Sequence, residues 1–177
     1  MKQLIILLLG FVLVNNYALS AGLGLTPMLG FARKGEKTLV LGLAVTAVTV
    51  LSAGILWLLR ETIPGYWLIL AAVTVILVLV YLLQLVCGKK LGVWFPVIAL
   101  NSAVLGAALK LQAAETLGSV LLSSLGIGLG FLFGLFLLTG VQEKLEHDQA
   151  PKAFRGFPLQ ILAAAIVAMA LTAFQFK

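Results

Sequence analysis

Two short stretches of this chain place polar side chains among apolar neighbours. The first reads Val14-Asn15-Asn16-Tyr17-Ala18-Leu19-Ser20-Ala21-Gly22-Leu23-Gly24-Leu25-Thr26-Pro27, and the second reads Pro96-Val97-Ile98-Ala99-Leu100-Asn101-Ser102-Ala103-Val104-Leu105-Gly106-Ala107-Ala108. Each joins asparagine, a hydroxyl residue, glycine and proline. Proline removes a backbone donor and glycine loosens the backbone, so the pattern predicts a broken helix whose freed amides and carbonyls need internal partners. Asn15, Asn16, Gly24, Thr26, Pro27, Asn101 and Ser102 are the candidate residues of a central broken-helix site. Asn16-x-Ala18-Leu19 and Asn101-x-Ala103-Val104 share a local pattern. A single asparagine is adequately explained as helix glue. Matching positions in both halves of the chain favour a site.

Acid–base or metal chemistry has few other carriers. The acidic residues Glu36, Glu61, Glu115, Glu143, Glu146 and Asp148 all fall between apolar runs. Ion-coupled carriers generally place a carboxylate inside a span, so this pattern argues against a self-sufficient secondary transporter, although backbone carbonyls can also bind cations. The one histidine, His147, sits in the charged stretch 143–148 and reads as a solvated loop residue rather than a ligand or base. Cys87 is the one cysteine, which excludes an internal disulfide and cannot alone hold an iron–sulfur cluster or a structural zinc. Gly126, Gly128, Gly130 and Gly134 have the spacing of a close helix contact rather than of a phosphate loop. No catalytic constellation is present in the sequence, and no metal ligand set is expected.

Something must hold the two polar stretches in place. Apolar residues make up 62% of the 177 positions and charged residues 10%, more apolar surface than a water-soluble domain of this size can bury. The lipid bilayer is therefore the expected environment, and an all-α membrane protein forming one domain over 1–177 is the expected fold. Polar or Pro/Gly-bearing breaks leave six apolar runs at about 3–21, 38–59, 66–87, 93–109, 117–141 and 157–176. Each is near the roughly 20 residues that cross the hydrocarbon core, and none alternates as a barrel strand would. The first run also has features of a secretory signal ending at Ala18-Leu19-Ser20, but Met1-Lys2 is weakly basic and Asn15-Asn16-Tyr17 follows an already complete apolar core. An uncleaved span is the expectation.

The net charge of +6 forms no patch suited to nucleic acid. Arg33, Lys34, Lys37, Lys89, Lys90, Lys144, Lys152 and Arg155 follow the first, third and fifth runs, whereas Lys2, Arg60, Lys110 and Lys177 lie on the other side. This eight-to-four bias puts both termini outside the cytoplasm of an inner-membrane, multi-pass protein. Three runs in each half, 1–88 and 89–177, would then form a 3+3 inverted repeat with broken first and fourth helices.

Leu23-Gly24-Leu25-Thr26-Pro27-Met28-Leu29-Gly30, preceded by Val14-Asn15-Asn16, resembles the first-span motif of the A subunit of Rnf electron-transport complexes and of the equivalent E subunit of the sodium-translocating NADH:quinone oxidoreductase, Nqr. The stretch from Asn101 to Leu109 resembles that family's fourth-span motif, and Ala153-Phe154-Arg155-Gly156 resembles its Pro-Phe-Arg-Gly. The resemblance covers essentially the whole chain. It implies a membrane subunit paired with a homologous subunit of opposite topology. The complex around them, with other subunits carrying flavin and Fe–S, couples electron transfer to sodium or proton transport. It further implies a [2Fe-2S] cluster shared between the paired subunits on cysteines from each broken helix. Here the sequence departs from the family. Thr26 and Ser102 occupy the two cluster-ligand positions, and a neutral hydroxyl is a much poorer iron ligand than a thiolate. The expectation is a non-catalytic subunit without a conventional cluster. The alternatives are a divergent paralogue working as a non-redox transporter, or a structural membrane subunit.

Overall fold

The computed structural model describes residues 22–25, 35–87, 95–145 and 156–173, together with Gly10. Among them the secondary structure is helical and contains no strand. The main elements are α1 (Gly35–Leu59), α2 (Leu68–Cys87), α3 (Phe95–Ala99), α4 (Ser102–Lys110), α5 (Leu117–Leu145) and α6 (Phe157–Thr172). Single 3₁₀ turns at Gly65–Trp67 and Leu111–Ala113 precede α2 and follow α4.

Local chemistry sets several boundaries. Pro64 stands in an extended conformation before the 3₁₀ turn, so α2 begins only at Leu68. Thr116 caps α5 by accepting the Ser119 amide at 3.3 Å. Gly156, at φ +86°, turns the chain into α6, and Pro158 sits in the first turn, where its missing N–H leaves no helical bond unmade.

Four segments are long and apolar enough to cross a membrane: Thr38–Leu59, Gly65–Val86, Pro96–Ala113 and Leu117–Lys144. Phe157–Leu171 is a shorter apolar helix. These fall on five of the expected runs, while residues 3–21, apart from Gly10, lie outside the described set. α5 continues past the expected end at 141, because Gln142, Glu143 and Lys144 are good helix formers whatever the solvent.

The most extensive packing joins α1 to α5. A methyl added at Gly42 would lie 2.9 Å from Leu132 Cγ and Cδ1, and one at Gly128 would lie 2.6 Å from Thr46 Cγ2. Gly54 faces Leu121 in the same sense, so the two helices run antiparallel. Buried hydroxyls along the seam satisfy themselves locally. Thr46, Thr49 and Thr139 each donate to the carbonyl four residues earlier at 2.7 Å. Leu41, Val45, Val48, Phe131, Leu135 and Leu138 fill the core beside the seam, joined by Ile76 and Val80 of α2, Ile98 of α3, Val104 of α4 and Ala164 of α6.

The outward surface is equally apolar. Ile69, Leu70, Leu77, Val78, Leu85 and Val86 of α2 and Ile161, Leu162, Ile166 and Met169 of α6 are exposed. In water such surface would drive association, whereas in a bilayer it meets acyl chains. Tyr66 and Trp67 stand exposed at the start of α2, where amphipathic rings suit the headgroup region.

Candidate functional site

The stretch 95–110 is one apolar segment built as two helices. α3 stops at Ala99 and α4 starts at Ser102, with Leu100 and Asn101 between them. Asn101 makes the break. Its backbone is extended (φ −75°, ψ 111°), and its Oδ1 accepts the Ala103 amide at 3.0 Å. That amide would otherwise continue the helical ladder to the Ala99 carbonyl. The Asn101 carbonyl then accepts from Val104 at 3.1 Å and Leu105 at 3.3 Å, which starts the new helix. An N-cap of this kind suits asparagine, whose short amide reaches its own backbone two residues on.

The other polar stretch docks on this break. The Gly24 amide donates to Ser102 Oγ at 2.8 Å, a bond spanning 78 residues of sequence. Gly24 holds φ +81° and Gly22 φ +66°, a left-handed backbone that glycine adopts without strain. The approach is close enough to exclude a side chain. A Cβ at Gly24 would lie 2.8 Å from both Asn101 Oδ1 and Phe131 Cε2 and 3.2 Å from Ala103 Cβ. Leu23 Cδ1 similarly lies 3.1 Å from where a Cβ at Gly106 would stand.

Of the candidate residues, Gly24, Asn101 and Ser102 therefore meet. Asn15, Asn16, Thr26 and Pro27 lie outside the described residues. The sequence reading missed Phe131, the aromatic wall of the Gly24 cradle, and the Leu23–Gly106 contact. Gly106 left a trace in the sequence as a glycine inside an apolar helix, whereas Phe131 left none, because it is one of three phenylalanines, with Phe133 and Phe136, in the glycine-rich run 117–141. Also unforeseen is a clasp away from the break. Trp57 Nε1 and Arg60 Nη1 both donate to the Ala114 carbonyl, at 2.9 and 2.8 Å, with the guanidinium 4.3 Å over the Trp57 ring. It ties the end of α1 to the α4–α5 connection.

The site is electrically neutral. No Asp, Glu, Lys or Arg occurs between Phe95 and Leu109, and among the described residues no three His, Cys, Asp or Glu side chains gather as a metal set. Polarity comes from the backbone, from the positive N-terminal end of α4 and from two neutral side chains. Asn101 is 1% exposed, and its Nδ2 has no partner among the described residues. Leu100, by contrast, is 83% exposed, and Ser102 is exposed beside it. Among the described residues, the side chains brought together at the break are neutral.

Comparison with known proteins agrees with this architecture. A family model described as Rnf-Nqr subunit, membrane protein, matches residues 4–177. A relative from Syntrophotalea carbinolica, named as the A subunit of an ion-translocating oxidoreductase complex, is 36% identical over 187 positions, covering 98% of this chain and 97% of the relative. One from Acetobacterium woodii, named as the A subunit of a Na(+)-translocating ferredoxin:NAD(+) oxidoreductase complex, is 34% identical over 184 positions, covering 97% and 96%. A third, from Azoarcus sp., shares the name of the Syntrophotalea protein and is 35% identical over 98% of this chain and 97% of its own length. Matched along nearly its whole length, the chain belongs to the Rnf-Nqr family of membrane subunits.

Proposed function

We propose that this chain is the A-type membrane subunit of an Rnf-type complex that couples electron transfer to sodium or proton transport, and that it acts beside a homologous membrane subunit of opposite topology. The names of its relatives support the complex. The observation that carries the pairing is the broken helix itself. Leu100 is 83% exposed and the helical ladder is interrupted there, inside the apolar segment Pro96–Ala113. Non-helical backbone at membrane depth is tolerated only where protein covers it or where it lines a polar cavity. A second subunit with its own break would supply that cover.

Six spans in a 3+3 inverted repeat fit the same reading. Its support is the pattern shared by the two halves, Asn16-x-Ala18-Leu19 and Asn101-x-Ala103-Val104, each in a stretch that carries glycine and proline. Both termini outside the cytoplasm follow from the Lys/Arg bias, in an inner membrane, with flavin- and Fe–S-bearing subunits attached to the pair. The chain contributes positioning and a route through the membrane rather than catalysis of its own.

The test is purification of the tagged chain from mild-detergent extracts of its native membranes, with mass-spectrometric identification of what accompanies it. Redox subunits and a homologous membrane protein in fixed ratio are expected. Recovery of the chain alone would refute the complex and favour an independent transporter.

A further inference from the structure

The shared [2Fe-2S] group that the family resemblance implies would need this chain to present two soft, anionic ligands, and the break presents something else. Ser102, at one of the two ligand positions, has its oxygen engaged by the Gly24 amide at 2.8 Å. A serine hydroxyl keeps its proton at neutral pH, so what remains free on Ser102 is an O–H donor and one weakly basic lone pair. Its neighbour Asn101 spends its acceptor oxygen on the Ala103 amide, and its Nδ2 donor, at 1% exposure, has no partner among the described residues. Both side chains therefore offer donors. Iron needs lone pairs, preferably thiolate. The one cysteine, Cys87, is the last residue of α2 and not part of the break. The residues present do not fit the group.

We infer that Ser102 is a metal-free clasp in this chain: its hydroxyl, through the Gly24 amide, ties the first polar stretch to the start of α4, and no iron is bound through it. A hydrogen bond takes the place that a shared metal ligand would hold. The left-handed backbone at Gly22 and Gly24 brings the amide to the oxygen, and the Asn101 cap fixes the helix terminus on which that oxygen sits. The inference rests on the family reading above, since a chain outside such a complex would have no cluster position to replace.

The test uses the whole complex, purified through a tag on this chain, as wild type, Ser102→Ala and Ser102→Cys. Iron per complex, low-temperature EPR of the reduced sample and the midpoint of thermal dissociation are measured. The clasp predicts equal iron in wild type and Ser102→Ala, an unchanged EPR spectrum in Ser102→Cys, and a midpoint lowered by roughly 2–4 °C in Ser102→Ala. Loss of about two irons in Ser102→Ala would overturn it, as would a shifted EPR signal in Ser102→Cys, where sulfur would replace oxygen on a bound iron. An unmoved midpoint in Ser102→Ala would overturn the hydrogen-bond role. Should Ser102→Ala fail to assemble, the Ser102→Cys spectrum decides. Wild-type chain recovered without other subunits refutes the complex instead, and the iron content of that lone chain still decides the clasp.

Discussion

Replacing Gly24 with alanine adds one methyl group at the tightest contact of the site. Two effects act together. At φ +81° an L-residue is strained by about 1–2 kcal/mol. The methyl also lands 2.8 Å from Asn101 Oδ1 and from Phe131 Cε2, and neither neighbour can yield easily. Asn101 Oδ1 is fixed by the Ala103 amide, and Phe131 is 1% exposed in the core. Overpacking of this kind costs about 1–3 kcal/mol. Together the substitution destabilises the docking of the first polar stretch by roughly 2–5 kcal/mol. Gly118→Ala is the matched control, because a Cβ there meets nothing within 4 Å and lies in the first turn of α5. It should be neutral or stabilising by up to about 1 kcal/mol. Unfolding in detergent micelles, followed by denaturant titration of both variants, measures the difference. Gly24→Ala unfolding within about 0.5 kcal/mol of wild type would refute the close approach.

Other outcomes follow from the same geometry. Asn101→Leu removes the cap of α4 and the acceptor for Ala103, and should cost about 1–3 kcal/mol with visible loss of assembly on native gels. On the α1–α5 seam, Gly42→Ala should be rescued by Leu132→Ala in a double-mutant cycle, because the three atoms nearest its methyl all belong to that side chain. Gly128→Ala should resist rescue by Thr46→Ser, because its methyl also lies 2.9 Å from the Thr46 Cα. Trp57→Phe should cost under about 1 kcal/mol, since Arg60 keeps the Ala114 carbonyl satisfied, while the Trp57→Phe, Arg60→Met pair should cost more than the sum in thermal melts. Reporter fusions should read as cytoplasmic in the 142–156 connection and as external at Lys177, and a cytoplasmic signal at Lys177 would reverse the topology.

The broken fourth segment was legible in the sequence because its causes are local. Pro96, the Asn101-Ser102 pair and Gly106 each disfavour a continuous helix, and Asn101 supplies its own cap within two residues. The apolar runs were legible for a related reason, since bilayer thickness sets their length. What escaped the sequence was long-range. Nothing in residues 22–25 says that a bond will form to Ser102, 78 positions away, or that Phe131 will close over it. The end of α5 escaped because hydropathy reports where lipid ends, whereas Gln142, Glu143 and Lys144 continue the helix beyond it. The Ala114 clasp escaped because a backbone carbonyl carries no sequence signal.

The pairing of broken helices is tested most directly by a photo-crosslinking residue at Leu100, activated in native membranes, with exposed Val78 of α2 as the lipid-facing comparison. A covalent adduct from position 100 to a homologous membrane subunit, with none from position 78, is the predicted result. Adducts from position 100 with lipid alone would contradict the account.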